Sequence, residues 1–280
     1  MFGRRQTPAK TAEQLLLMRA AGLLVGQTLE LLRREAQPGR TTLELDALAE
    51  GFIRDHGAVP NFQLVPGYTH TLCTSVNDEV VHGIPGARVL REGDLLSIDC
   101  GAQLQDWNGD AAISLIVGGE SAGRPEDVRL VEVTERALWA GIGALRVGER
   151  LYAVGEAVEA AVEAATADGG GYGVIEDYVG HGIGRSMHED PQIPNYAVRE
   201  RGPLVRAGFT GAIEPMVVLG SPETRVLEDD WTVVTIDGSR AAHWEHSVAV
   251  TDEGVCVLTA VDGGRPRLEA AGIPYVALDA

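Results

Sequence analysis

Two stretches of this chain repeat one pattern. Gly93-Asp94-Leu95-Leu96-Ser97-Ile98-Asp99 and Gly208-Phe209-Thr210-Gly211-Ala212-Ile213-Glu214 each run from a glycine through four residues to an isoleucine and a carboxylate. A His-Gly-Ile triplet precedes each stretch, at His82-Gly83-Ile84 and at His181-Gly182-Ile183. A further carboxylate follows each on a later strand-like segment, Asp110 and Glu245. Two small matches in the same order read as an internal duplication. The expectation is an α+β fold with pseudo-twofold symmetry, duplicated helices on antiparallel sheets, and the site on the local axis.

The elements around these stretches follow the same order twice. Thr11 to about Glu35 has helical apolar spacing through Leu15, Met18, Leu23 and Leu24, and Thr11 with Gln14 has capping-box spacing. A second helix is expected over Thr42–Asp55, where Thr41 and Glu44 repeat that signature and Gly57 offers a stop. Two more helical patterns cover roughly Glu126–Leu145 and Glu149–Ala167, the last closed by Asp168-Gly169-Gly170-Gly171. Strand-like segments lie at Leu95–Gln103, Asp110–Val117, Gly211–Leu219, Trp231–Ile236 and His243–Val250.

Four carboxylates at the ends of apolar strands need an explanation. Buried aspartates and glutamates are rare unless paired or bound to a cation. Asp99 and Asp110 would face one another across a hairpin centred near Leu104 and Gln105. The Asn108-Gly109 pair is the stronger turn signal and conflicts with that centre, so Gly109 is read as a bulge or tight bend. The bland alternative is a surface hairpin with two solvated aspartates, and Glu214 and Glu245 as strand-end glutamates paired with arginine. If the four converge, they repel one another without a cation, and a dinuclear metal site resolves that conflict. Four carboxylates with one histidine are hard donors, favouring Mn(II), Fe(II) or Co(II) over a thiolate-type zinc site. The glycine-rich run Gly180–Glu189 lacks the phosphate-loop lysine. Its His181 and His188 better suit a ligand and a hydrogen-bond donor beside a cleft.

Composition narrows the partners. The chain has 280 residues, 45% hydrophobic and 23% charged, which is ordinary for a globular protein. Its net charge of -18, with lysine nearly absent, argues against DNA or an anionic membrane as partner. Cys73, Cys100 and Cys256 are odd in number and widely spaced, so no disulfide framework is expected. Arg19 interrupts the apolar stretch Leu15–Val25, no small-residue cleavage site follows it, and no apolar run is long enough to span a bilayer. The expected compartment is the cytoplasm.

At these residues a family resemblance emerges. Cys73-Thr74-Ser75-Val76-Asn77-Asp78-Glu79-Val80-Val81-His82-Gly83-Ile84-Pro85, the Asp99/Asp110 pair, Gly180–Glu189, Ile213-Glu214-Pro215-Met216 and Trp244-Glu245-His246 together closely resemble the methionine aminopeptidases. The similarity spans roughly Leu15 to Leu258, with all five motifs in order. It implies the pita-bread fold as a single catalytic domain over residues 1–280, with a short basic N-terminal segment at about 1–10. Only 32 residues separate His181 from Glu214, which resembles the type I enzymes, and the lack of a zinc-finger extension resembles the bacterial form.

The implied activity is removal of the initiator methionine from nascent polypeptides with a small second residue, by attack of a metal-activated hydroxide on the first peptide bond. The resemblance implies two divalent ions (Co, Mn or Fe, with Zn or Ni also allowed), with Asp99 on one, Asp110 and Glu245 bridging, and His181 and Glu214 on the other. Glu214 would shuttle the proton, His188 would hydrogen-bond the oxyanion, and His82 would contact the scissile amide or assist the leaving nitrogen. Tyr68, Cys73 and Trp231 occupy methionine-pocket positions. Val65 departs from the aromatic often found there, and Met187 from the common phenylalanine. Docking to the ribosome would suit the role, with Arg4, Arg5 and Lys10 as the contact, and a monomer is the family precedent. The rivals are a proline-type relative such as aminopeptidase P or prolidase, which normally carries an additional N-terminal domain, and a pita-bread binding protein that has lost its ligands.

Overall fold

The computed structural model describes residues 7–167, 169 and 171–278. The basic residues Arg4 and Arg5, and Asp168 and Gly170 of the glycine run, lie outside the described residues.

Helices α1 (Ala12–Glu35) and α2 (Thr42–Asp55) begin at the capping boxes the sequence predicts. The Thr11 hydroxyl accepts from the Gln14 N–H while Gln14 Oε1 accepts from the Thr11 N–H, and Thr41 and Glu44 do the same. Each box satisfies two of the donors a helix start leaves open. Helix α3 (Pro125–Ala144) starts on a proline, whose missing N–H costs nothing there. Helix α4 (Ala153–Ala167) begins later than the apolar spacing predicted. Residues Glu149–Leu151 are instead held in extended pairing: Leu151 N–H donates to Pro203 O and Val205 N–H to Glu149 O.

The duplication is visible in the sheets. In the first half, strand Leu95–Leu104 pairs antiparallel with Leu72–Val76 and Val59–Pro60 on one edge and with Trp107–Ile116 on the other. In the second half, Phe209–Ile213 lies between Gly180–Gly182 and His246–Val250, with Glu189–Ile193 and Val255–Val257 outside them. Each central strand thus leads to a carboxylate between one earlier and one later strand. Each is entered through a left-handed glycine, Gly93 (φ 82°) and Gly208 (φ 86°). One apolar cluster joins the halves, with Leu24, Ile53, Leu96 and Ile98 packed in continuity with Leu138, Ile142, Ile213 and Val248.

The first hairpin corrects the turn reading. The turn residues are Gln105 (φ 50°) and Asp106 (φ 65°), and Leu104 pairs with Trp107. Two left-handed residues in succession match the twist of the flanking strands. Gly109 is neither bulge nor bend, because it sits in regular register opposite Ala102. Its missing side chain makes room for α1: a Cβ there would lie 2.7 Å from Gly22 Cα.

Two other expected strands are interrupted. Gly211–Leu219 divides into Phe209–Ile213 and Met216–Val218, and His243–Val250 into Ala241–His243 and His246–Val250. Ile213 pairs with His246 and Met216 with His243, so a single register runs through the gap, with Glu214 opposite Glu245. Pro215 has no N–H to give to that ladder. Trp231–Ile236 shortens to Val233–Thr235, because the Asp229 carboxylate draws in the Trp231 and Thr232 N–H groups.

Helix α1 is long and apolar enough to cross a bilayer, contrary to the sequence expectation, yet 61% of its most apolar window is buried inside the protein. Arg19 is itself buried, donating to the Leu258, Ala260 and Val261 carbonyls. That is the packing of a core helix.

Candidate metal centre

Two hydroxyls and a pair of backbone hydrogen bonds stitch the halves together where the carboxylates meet. Ser247 Oγ accepts from Asp110 N–H (3.1 Å) and donates to Asp110 O (2.7 Å). Ser114 Oγ likewise accepts from His243 N–H (2.9 Å) and donates to His243 O (2.8 Å). Between them, Glu245 N–H donates to Ala112 O (2.9 Å) and Ala112 N–H to Glu245 O (3.3 Å). Asp110 and Glu245, distant in sequence, are thereby locked side by side, Asp110 on its strand and Glu245 in the gap between Ala241–His243 and His246–Val250.

The register places the other ligands. Asp99 pairs with Ala112 and Asp110 with Gly101, so the two aspartates are diagonal neighbours on one face rather than directly opposed. The turn is one residue later than expected, and the resulting two-residue offset preserves the face. Ligand atoms of Asp110, His181 and Glu245 all lie within 4.8 Å of one another. His181 Nε2 is 3.4 Å from Glu214 Oε1. His181 Nδ1 lies 2.9 Å from Gly182 O, a pure acceptor, so Nδ1 carries the hydrogen and donates. That leaves the Nε2 lone pair facing Glu214, the tautomer a metal ligand needs.

The electrostatics are those of a cation site. Asp99 Oδ1, Asp110 Oδ1 and Glu245 Oε1 are buried with no hydrogen-bond donor. Burial pushes the Asp99 carboxyl up to about 7. Burial, then the charges of its neighbours, drives Asp110, Glu214 and Glu245 well above the usual carboxylate range. Burial also lowers His181 to about 4, which keeps its imidazole neutral. Orphaned carboxylate oxygens beside a neutral imidazole are costly in an interior unless cations complete them. The residues present therefore fit hard divalent metal.

A cavity of about 160 Å³ opens onto this cluster. It brings together every site residue the sequence predicted: Asp99, Asp110, His181, Glu214 and Glu245 with His82, His188, Tyr68, Cys73 and Trp231. Val65 and Met187 also line it. Tyr68 and Trp231 stack edge-on with centroids 4.8 Å apart, and the His188 ring stands across His181 at 4.5 Å. His82 adopts the left-handed region (φ 58°), a strained conformation for a non-glycine residue, and faces Trp231 and Tyr178. Burial lowers His82 to about 4 and pushes the Cys73 thiol up, so both are neutral. Sequence reasoning missed Phe62 and Val81, which also line the cavity. Phe62 sits in a short helical turn, Asn61–Leu64, with no periodic signal to single it out. Lys10, expected from the sequence as a ribosome contact, is paired within the protein: its Nζ is 2.7 Å from Glu189 Oε2, with 13% of its side chain exposed.

Fold and site thus define a metal-dependent hydrolase of duplicated architecture, and comparison with known proteins agrees. The chain belongs to metallopeptidase family M24, whose model matches residues 16–252. Its likeness within that family is to the methionine aminopeptidases. It is 51% identical to methionine aminopeptidase 1 of Mycobacterium tuberculosis over 92% of this chain and 96% of the relative. It is 45% identical to methionine aminopeptidase 1 of Bacillus subtilis over 90% and 98%. The crystal structure of methionine aminopeptidase from Thermotoga maritima superimposes with a TM-score of 0.85 at 41% identity, covering 91% of this chain and 100% of that one. The architecture is the pita-bread fold.

Proposed function

We propose that this chain is a type I methionine aminopeptidase that removes the initiator methionine from nascent polypeptides with a small second residue. The observation that carries this reading is a small, mostly apolar cleft that ends on four carboxylates and a neutral imidazole. Its volume of about 160 Å³ suits one side chain rather than a folded ligand. Residues 1–280 act as a single catalytic domain in this reading.

Asp99, Asp110, His181, Glu214 and Glu245 would hold two divalent ions, for which Co, Mn and Fe suit the hard donors best, with Zn and Ni also tolerated. When bound, such ions supply Lewis acidity, making water a nucleophile near neutral pH and polarising a carbonyl oxygen. The chain's own residues do the rest. The apolar wall of Phe62, Val65, Tyr68, Cys73, Met187 and Trp231 takes the methionine side chain and excludes water from it. The flexible Met187 thioether packs against the substrate's own thioether where a ring would be stiffer. Glu214, whose carboxyl is pushed up by burial, takes the proton lost by the attacking water and returns it to the leaving amine. His188 is neutral and donates to the oxygen on which charge develops. His82 presents its neutral ring to the scissile amide or assists the leaving nitrogen.

The buried thiols of Cys73 and Cys100 and the acidic surface suit the cytoplasm, and a monomer is expected. With Lys10 engaged internally, docking to the ribosome would fall to Arg4 and Arg5. A peptide panel tests the activity. Release of methionine from Met-Ala, Met-Gly and Met-Ser peptides is the expected result, and cleavage confined to X-Pro bonds would refute it in favour of a prolidase-like enzyme. Asp99→Ala separates enzyme from binding protein, since undiminished turnover in that variant would sink the ligand set.

A further inference from the structure

The segment before α1 is folded onto the second half of the protein. Thr7 N–H donates to Leu204 O (3.0 Å), Arg206 N–H to Thr7 Oγ1 (3.0 Å) and Lys10 N–H to Gly208 O (2.7 Å). A Cβ on Gly208 would lie 2.3 Å from Lys10 O, so this glycine admits the segment as well as the turn. Lys10, the only lysine in the chain, then turns inward onto Glu189, the residue after His188.

Glu189 uses both oxygens. Oε2 accepts from Lys10 Nζ at 2.7 Å, and Oε1 accepts from the Ser186 N–H at 3.2 Å. The carboxylate thus clamps the turn 184–189, on which His188 rides. A Cβ on Gly184 would strike both partners, 2.5 Å from Glu189 Oε1 and 2.6 Å from Lys10 Nζ, so the turn is shaped around the pair. The other flank is held by Asn108, whose Nδ2 donates to Gly184 O and Arg185 O. A part-buried ion pair is a weak way to add stability, because desolvation offsets most of the attraction. It is a good way to hold one geometry.

We propose that Lys10 is a positioning residue: through Glu189 it fixes the 184–189 turn and so sets where the His188 ring meets the substrate's carbonyl oxygen. This rests on the function proposed above, in which His188 touches that oxygen. Lys10 itself touches no reacting atom.

The test uses the full-length, metal-loaded enzyme and a Met-Ala-Ser peptide, with Lys10→Met and Lys10→Arg made in the wild type and in His188→Ala. Lys10→Met is expected to lower kcat by about tenfold, the scale of a small misplacement of a catalytic group. KM should hardly move, since the lost interaction belongs to the transition state. Lys10→Arg should restore most of the rate. In the His188→Ala background Lys10→Met should cost nothing further, because residues acting as one unit are non-additive. The imidazole carbon–proton NMR signal of His188 should shift in Lys10→Met and return in Lys10→Arg. An equal loss in both backgrounds, or a lowered Tm with kcat and the His188 signal unchanged, overturns the proposal. Should Lys10→Met fail to fold, Glu189→Gln takes its place with the same expectations. If the wild type releases no methionine, the functional reading fails on its own, while the His188 signal still decides the positioning.

Discussion

Replacing Gly109 by alanine adds one methyl group where α1 crosses the strand Trp107–Ile116. The new Cβ would lie 2.7 Å from Gly22 Cα, 2.8 Å from Gly22 N and 3.0 Å from Ala21 C. Carbon atoms rest about 3.5–4.0 Å apart, so helix and strand must separate by about 1 Å. The helix is not free to move. Arg19 ties it to three carbonyls, and the missing side chains of Gly22 and Gly26 let Leu258 O and Thr259 O press against it. Overpacking of this kind costs about 1–3 kcal/mol. Alanine's smaller unfolded-state entropy returns about 0.4–1 kcal/mol, because Gly109 has an ordinary strand conformation. The net expectation is a loss of about 1–2 kcal/mol, or about 2–4 °C in Tm for a chain of this length. Urea denaturation in EDTA measures it without the contribution of bound metal. Gly51→Ala, on the exposed side of α2 where a Cβ meets nothing within 4 Å, is the control and should stabilise by about 0.5–1 kcal/mol. The same substitution therefore carries opposite signs at two sites. If Gly109→Ala matches the wild type in midpoint and in turnover, the close approach of α1 does not explain the glycine.

Three further outcomes are expected. Burial raises Asp99 from 3.8 to about 7, so between those values the folded state holds a proton that the unfolded chain has released. Stability of the metal-free protein should therefore fall as pH climbs from about 4 to 7, and divalent metal should remove that fall; a pH-independent urea midpoint without metal would contradict this. Asp110→Asn should lose bound metal by elemental analysis and turnover by at least about 100-fold, yet unfold at higher urea than the metal-free wild type at pH 8, because a buried carboxylate repelled by Asp99 and Glu214 is gone. His188→Ala should keep its metal and lower kcat by roughly 100-fold, the scale of one oxyanion donor; an unchanged kcat would remove His188 from the chemistry.

The capping boxes at Thr11 and Thr41 and the apolar spacing behind them were legible because they are local, each needing only residues within one or two turns. The duplicated glycine-to-carboxylate pattern was legible for a different reason. It recurs in order, and the carboxylates it ends on have no acceptable burial without cations. Register was not legible at this precision. Moving the hairpin turn by one residue changed which positions pair and left Asp99 and Asp110 on the same face, since a strand alternates sides with period two. Nor did the sequence distinguish Gly109 as a packing glycine from a turn glycine, because the atom that forbids a side chain there belongs to Gly22 on another element.

The chain by itself determined the ligand types, their order, the twofold plan and the helices, because these follow from local chemistry and from repetition along one strand of text. Only the tertiary structure decided how the ligands meet. Ser247 and Ser114 join two sheets beside Asp110 and Glu245, Pro215 interrupts a ladder beside Glu214, Phe62 closes a cavity from a distant turn, and Lys10 reaches across to Glu189. Those contacts join residues far apart in sequence, and no spacing along the chain records a distance through space.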